Sequence, residues 1–346
     1  MPITRRCPPT DLFAGIDNLW LDKRKFSPSQ DDIEKLCRFF CLGKLQHYEK
    51  EKNIIVSHSN FFVFAATTHG RYAFKFYPPD AAKTVAIEYA IHRILIKHHF
   101  LTPVMYTGKN GQPFSLSNNH LAACYSYMNG LPAWRVIKQQ DTPSKINAAM
   151  LSLKNILSAA RGRVPSLKQA SLSTTIHALA QESRIMAPYD QKKIIDTSLR
   201  EACQTYQHHR RLFTRQWLHN NANLTNFLIH KENVYTLDLI HIREDHTLAD
   251  LASLVISCLF FDVPAKTIKT IIKDYFTQHK IEAPYLAVLN TLVKIGLIGE
   301  YLKNLRREKS IEFSVYPQDL VRTYMSHLRK RKEFIAAALK SKSQTA

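Results

Sequence analysis

The spacing of apolar positions changes along the chain, and the change predicts two kinds of structure. Ser29 stands three residues before Asp32, and Ile33, Leu36, Cys37, Phe39 and Phe40 follow at helical spacing, which predicts a capped amphipathic helix ending near Gly43. Residues 53–77 instead carry β-branched and aromatic runs, IIV, FFVFAATT and RYAFKFY, with His69-Gly70 between two of them. That pattern predicts an antiparallel hairpin feeding a third strand. Pro78 and Pro79 break the run, and residues 81–99 return to helical periodicity, with Val85, Tyr89, His92 and Ile96 along one stripe. After Pro103, short strands are predicted around the turns at Lys109-Asn110-Gly111 and Ser117-Asn118-Asn119, the last running through LAACYSYM.

From Thr142 onward the periodicity is mostly helical, over residues 146–160, 172–186, 191–217 and 248–261 and through further helices beyond. FLIHKENVYTLDLI, residues 227–240, is the one strand-like interruption expected in that half. A β-rich N-terminal part followed by a helical part with an embedded hairpin is an α+β arrangement. No internal repeat, low-complexity linker or Gly-rich nucleotide fingerprint occurs in the sequence.

Composition narrows the picture. At 346 residues the chain suits two lobes better than one core. The apolar stretch LASLVISCLFF, residues 251–261, is shorter than the roughly 20 residues that cross a bilayer. No membrane span is expected, and with Cys7-Pro8-Pro9 where a signal segment would be apolar, a cytoplasmic location is expected. Six cysteines without a CxxC pair argue against a disulfide framework and a zinc site, and Cys37 and Cys41 are expected to be buried thiols. Forty-eight Lys and Arg against 28 Asp and Glu give a formal charge of +20, which favours an anionic partner without selecting one. Basic patches at His208-His209-Arg210-Arg211 and Arg306-Arg307 come with no nucleic-acid module, so nucleic acid is disfavoured, and Arg329-Lys330-Arg331-Lys332 is expected to be a solvated helix face.

Chemistry concentrates in WLHNNANLTNFLI, residues 217–229, followed by TLDLI at 236–240 and ADLA at 249–252. Upstream, Lys75 lies in FKFY with Glu88 on the following helix, and CYSYMNG spans residues 124–130. In this order the segments resemble the aminoglycoside phosphotransferase and choline kinase superfamily, protein-kinase-like in fold, over roughly residues 35–310, with homoserine kinase nearest in style. The resemblance implies a small β-rich N-terminal lobe over residues 31–128, after an extension at 1–30, and a larger helical lobe over 129–346. It implies transfer of the ATP γ-phosphate, with Mg2+, to a hydroxyl of a small molecule: homoserine first, with choline, an amino sugar or a lipopolysaccharide sugar as alternatives. The charge favours an anionic acceptor.

The same resemblance implies the site. Asn226 and Asp238 would hold the metal, His219 would support the loop, and Asp250 would brace it. Lys75 would meet the nucleotide phosphates with Glu88 as its ion-pair partner. Ser59 and Asn60, in SHSNFF, would cover the phosphates, and Tyr127 and Met128 would form the hinge against adenine. Position 221 departs from the pattern: the family carries a catalytic Asp, and this chain has Asn221, preceded by Asn220 in place of Gly. An amide cannot act as a carboxylate base, and such catalysis is worth about 10² to 10⁴ in rate. Two readings follow: a divergent kinase in which Asn221 still orients the hydroxyl, with His241 or Asp245 near enough to take a proton, or a pseudokinase kept as a nucleotide-binding or interaction scaffold.

Overall fold

A computed structural model describes residues 28–50, 61–139, 141–164 and 171–309. Ser59 and Asn60 lie outside the described residues, as do the IIV run and the basic run at 329–332. The first helix, α1 (Gln30–Phe39), opens on the expected capping box. Ser29 Oγ accepts from the Asp32 N–H at 3.2 Å, and Asp32 Oδ2 accepts from the Ser29 N–H at 2.9 Å. Cys37 is buried on its inner face, but Cys41 is exposed, because the chain has already left the helix there with φ at +57°.

Strand β1 (Leu45–Lys50), which the sequence pattern did not predict, pairs along one side with β2 (Phe61–Thr67). β2 returns through Thr68-His69 into β3 (Gly70–Tyr77), so the turn falls one residue earlier than expected, and Gly70 takes φ +144° to open the new strand. Helix α2 (Ala82–Lys97) follows, then β4 (Met105–Tyr106), β5 (Ser115–Ser117) and β6 (His120–Ser126). The buried stripe of α2 is Val85, Glu88, Ile91, His92 and Leu95, whereas Ile96 is exposed; the stripe passes through a charged residue that periodicity alone would have placed outside.

These six strands form one sheet in the order β1-β2-β3-β6-β4, with β5 also paired to β6. Alternation along β3 and β6 gives the sheet two different faces. Phe74, Phe76, Ala122 and Cys124 pack with Ile33, Leu36 and Cys37 of α1. Ala73, Tyr77, Leu121, Ala123 and Tyr125 pack instead with Val85 of α2 and with Ile240 from the distal half of the chain. Lys75 stands between Ala73 and Tyr77 on that second face.

The remaining chain is mostly helical: α3 (Ala133–Val136), α4 (Thr142–Ala159), α5 (Leu172–Met186), α6 (Tyr189–His208), α7 (Ala249–Phe260), α8 (Ala265–Gln278) and α9 (Tyr285–Lys309). Side chains from α4 through α9 share the largest apolar core. The segment Tyr285–Lys303 of α9 is long and apolar enough, by length and composition, to cross a bilayer, but 61% of its apolar 18-residue window is buried inside the fold, as in a core helix. It is longer than the apolar stretch at 251–261, from which no membrane span is expected.

The helix expected over 191–217 ends at His208, and the single expected hairpin is not the only strand structure in this half. After a short 3-10 turn, β8 (Arg215–Leu218) pairs antiparallel with β11 (Arg243–His246). β7 (Leu131–Pro132) pairs with β9 (Phe227–His230), which forms the expected hairpin with β10 (Asn233–Thr236). Gly130, just before β7, lies so close to this hairpin that an added Cβ would come 3.1 Å from the Ile229 carbonyl oxygen. The segment between β8 and β9 is the HNNANLTN loop, held at both ends by these small sheets.

Candidate active site

Two turns in the left-handed region shape the loop. Asn220 has φ +60° and Asp238 has φ +57°, a conformation that Asn and Asp tolerate far better than other side chains. This explains how Asn220 can stand where the resemblance implies Gly. Asn220 is buried, and its Nδ2 donates to the Arg243 carbonyl at 3.0 Å, tying the loop to β11. Asp250, in the first turn of α7, accepts the backbone N–H groups of His219 at 3.0 Å and of Asn220 at 2.7 Å. Burial nevertheless pushes its carboxyl up to about 7, against those two bonds. Ser257, one helical face along α7, accepts the Leu224 N–H at 2.9 Å.

His219 is fully buried, with Nε2 2.8 Å from the Leu237 carbonyl and Nδ1 3.2 Å from the Asn221 N–H. A carbonyl only accepts and an amide N–H only donates, so the ring is the neutral tautomer with its proton on Nε2. Burial lowers its pKa to about 4. His219 thus joins the loop to the segment that presents Asp238.

The sheet supplies the opposite wall. Lys75 Nζ is 2.8 Å from Asp238 Oδ1 and 3.5 Å from Glu88 Oε1, joining residues 163 apart in sequence. Burial disfavours charge on all three, but their mutual attraction wins: the carboxylates beside it raise Lys75, Lys75 and His92 lower Glu88, and Lys75 and His241 hold Asp238 well below the usual carboxylate range. Lys75 and Glu88 are sealed at 3% and 1% exposure while Asp238 keeps 20%, so Asp238 is the carboxylate that can meet a ligand. At an effective dielectric of about 20, each attraction is on the order of 5 kcal/mol, comparable to the several kcal/mol of desolvating each ion. The cluster therefore adds little net stability, and folding alone gives no reason for it.

Asn221 sits between these walls. Its Nδ2 donates to Asp238 Oδ2 at 3.2 Å, and its Oδ1 accepts from Asn223 Nδ2 at 2.8 Å. Asp238 can only accept, which fixes the orientation of the amide. Asn226 Nδ2 donates to the Asn221 carbonyl at 2.8 Å, leaving Oδ1 as its acceptor atom. His241 Nε2 lies 3.5 Å from Asp238 Oδ2. Asp245, by contrast, is fully buried in β11, where it pairs with Arg243 at 3.7 Å. Of His241 and Asp245, the two groups expected to be near enough to take a proton, His241 is the one beside Asp238 and Asn221.

Between the sheet and the helices, Tyr127 spends its backbone N–H on the Arg71 carbonyl at 3.2 Å, and the Arg71 guanidinium lies 3.8 Å from its ring centroid. Its N–H is therefore committed to the sheet, not offered to a base. Ser126 Oγ points to Met128 Sδ at 3.6 Å. Sequence reasoning missed Asn223, Tyr77 and Tyr125. The first was within the quoted loop, and the period-2 rule puts Tyr77 on the same face as Lys75, whereas Tyr125 reaches that face only through the pairing of β6 with β3.

An amide oxygen and a carboxylate are hard oxygen donors of the kind magnesium takes, and magnesium usually keeps water and phosphate oxygens as its other ligands. Among the described residues no group of three or more His, Cys, Asp or Glu could hold a metal by itself. The residues present fit the ion.

Solved structures share this architecture. An aminoglycoside phosphotransferase from Alicyclobacillus acidocaldarius aligns with a TM-score of 0.69 at 13% identity, covering 92% of this chain and 98% of that one. An amicoumacin kinase in complex with AMP-PNP, Ca2+ and Ami aligns at 0.67 and 11% identity, covering 88% and 94%. A choline kinase from Cryptosporidium parvum aligns at 0.60 and 16%, covering 90% and 99%. At such identities the likeness establishes the protein-kinase-like α+β fold. No curated protein matches the sequence. The profile of the phosphotransferase enzyme family, APH, matches residues 55–285, more than half of the 346, and the segments that build this cleft fall within that span. This chain belongs to the APH phosphotransferase family.

Proposed function

We propose that this protein binds ATP with magnesium in the cleft between the sheet and the helices and transfers the γ-phosphate to a hydroxyl of a small molecule. The observation that carries the reading is Lys75, sealed between Glu88 and Asp238 and facing the Asn221–Asn226 loop. Lys75 meets the phosphates, Asn226 Oδ1 and Asp238 would hold the ion, and Asn221 lies where the acceptor hydroxyl is oriented. The ion supplies charge neutralisation on the phosphate oxygens when bound. Relatives whose names specify aminoglycosides, amicoumacin and choline support a small hydroxyl-bearing acceptor. Homoserine is the first candidate on the style of the N-terminal segments, and an anionic acceptor fits the +20 charge.

Calorimetric titration with ATP, with and without magnesium, tests this reading alongside ATP consumption over a panel of small alcohols. Magnesium-dependent binding that disappears in Asp238→Ala is expected. Unchanged binding and turnover in that variant would remove the metal role from Asp238.

A second reading has its own observation. Asn221 Oδ1, the atom that would accept a hydrogen bond from the substrate hydroxyl, already accepts one from Asn223 Nδ2 at 2.8 Å, and as an amide oxygen it cannot take the proton. That arrangement favours nucleotide binding with slow transfer, the pseudokinase reading. In Asn221→Asp a carboxylate replaces the amide, and kcat is expected to rise by about 10² to 10⁴ if the missing base limits transfer. An unchanged or lower rate in N221D with saturating MgATP would count against a base at that position.

A further inference from the structure

Behind Lys75 lies a second layer of polar side chains that none of the roles above uses. Tyr77 is two residues beyond Lys75 on β3 and fully buried, and Tyr125 on β6 is 6% exposed. The Tyr77 hydroxyl is 2.7 Å from Glu88 Oε2 and 2.8 Å from the Tyr125 hydroxyl. A phenol has one proton to give and an ionised carboxylate only accepts, so Tyr77 donates to Glu88 and Tyr125 donates to Tyr77. Burial, with Glu88 beside them, pushes both phenols well above the usual tyrosine range, which keeps them protonated donors. The face of the Tyr77 ring lies 4.9 Å from Lys75 Nζ, within cation–π range. Tyr77 therefore touches both members of the ion pair, one with its hydroxyl and the other with its ring.

Two further polar contacts of Glu88 are longer: Lys75 at 3.5 Å and His92 Nε2 at 3.8 Å both approach Oε1, and the Tyr125 hydroxyl also interacts with the carboxylate. The 2.7 Å bond from Tyr77 is shorter than either of those two and holds the plane of the carboxylate from the Oε2 side. Lys75, meanwhile, is 2.8 Å from Asp238, closer than to Glu88. If Glu88 loses its fixed orientation, Lys75 is left to pair with Asp238 alone. That collapse would draw the ammonium away from incoming phosphates and neutralise the carboxylate that the proposed function assigns to the ion.

We propose that Tyr77, steadied by Tyr125, is the positioning residue that holds Glu88 and Lys75 in register for the phosphates of the nucleotide. The proposal rests on the nucleotide-binding reading above, and its test separates the two. The full chain, Tyr77→Phe and Tyr125→Phe are titrated calorimetrically with MgATP and, in parallel, with adenosine, which lacks the phosphates.

In Y77F, MgATP affinity is expected to fall about ten-fold, and in Y125F about three-fold, with adenosine affinity unchanged, because one and then a relayed charge-assisted hydrogen bond is removed. A wild-type chain that binds MgATP no better than adenosine overturns the nucleotide-phosphate reading itself. A wild-type preference for MgATP retained in full by Y77F overturns the role of Tyr77 alone. Parallel loss of both ligands in Y77F means that the hydroxyl merely supports the fold, which also overturns it. Should Y77F fail to fold, Y125F carries the decision: a selective loss of MgATP sustains the proposal, and no loss or a parallel loss sinks it.

Discussion

His219 has both ring nitrogens committed, one giving a proton to the Leu237 carbonyl and the other taking one from the Asn221 N–H. A second proton on Nδ1 would set N–H against N–H at a fully buried ring, which is the geometric counterpart of a pKa lowered to about 4. An unfolded chain protonates this histidine near 6.5, so between roughly pH 6.5 and 4 the unfolded state holds the extra proton. Stability from His219 is therefore complete above that window and is lost as the pH falls through it. Asp250 has the opposite sign, because its folded-state carboxyl is raised to about 7 and holds a proton that the unfolded chain has released. The two effects overlap in pH, so only a difference measurement isolates either. In paired urea unfolding of the native chain and His219→Gln, the stability advantage of the native chain is expected to shrink by about 3 kcal/mol from pH 6.5 to 4. A constant difference across that range would mean that His219 titrates normally and that its two hydrogen bonds do not hold it neutral.

At the scale of elements, what could be read from the sequence was what depends on local order. The capping box of α1, the β2–β3 hairpin and the β9–β10 hairpin all follow from residues within a few positions of each other. The strands β1, β8 and β11 could not be read that way. β1 lies at the border of the sheet with a half-polar pattern, and β8 is recruited from the end of a helical stretch by pairing with β11, some 28 positions on. Such pairing is decided by tertiary contact, which overrides local propensity. The candidate site divides in the same way. Lys75, His219, Asn221, Asn226, Asp238 and Asp250 were named by matching the family's motif order, which runs along the chain, whereas the bonds that Asn223 and the two tyrosines make depend on side chains brought together across 2 to 48 positions. Cys41 shows the limit of spacing even over four residues: the helix that buries Cys37 ends before Cys41 can share its face.

For the whole molecule, the charge of +20 is too large for any one pair to explain, and the site itself adds nothing to it, since one cation, Lys75, faces two carboxylates, Glu88 and Asp238. The excess therefore acts as a long-range field, which raises the encounter rate of an anion and is screened by salt. At about 0.1 M salt the screening length is roughly 10 Å, while the sealed Lys75 contacts lie within 4 Å of each other and feel little of it. The two contributions can thus be pulled apart by ionic strength. Stopped-flow binding of MgATP should slow several-fold between about 0.05 and 0.5 M NaCl, with a much smaller change in the dissociation rate, whereas adenosine should associate at one rate throughout. An association rate for MgATP as indifferent to salt as that of adenosine would show that the basic surface does not steer the nucleotide. The charge would then have to be assigned to the acceptor or to another anionic partner, with the cleft working through its own buried residues alone.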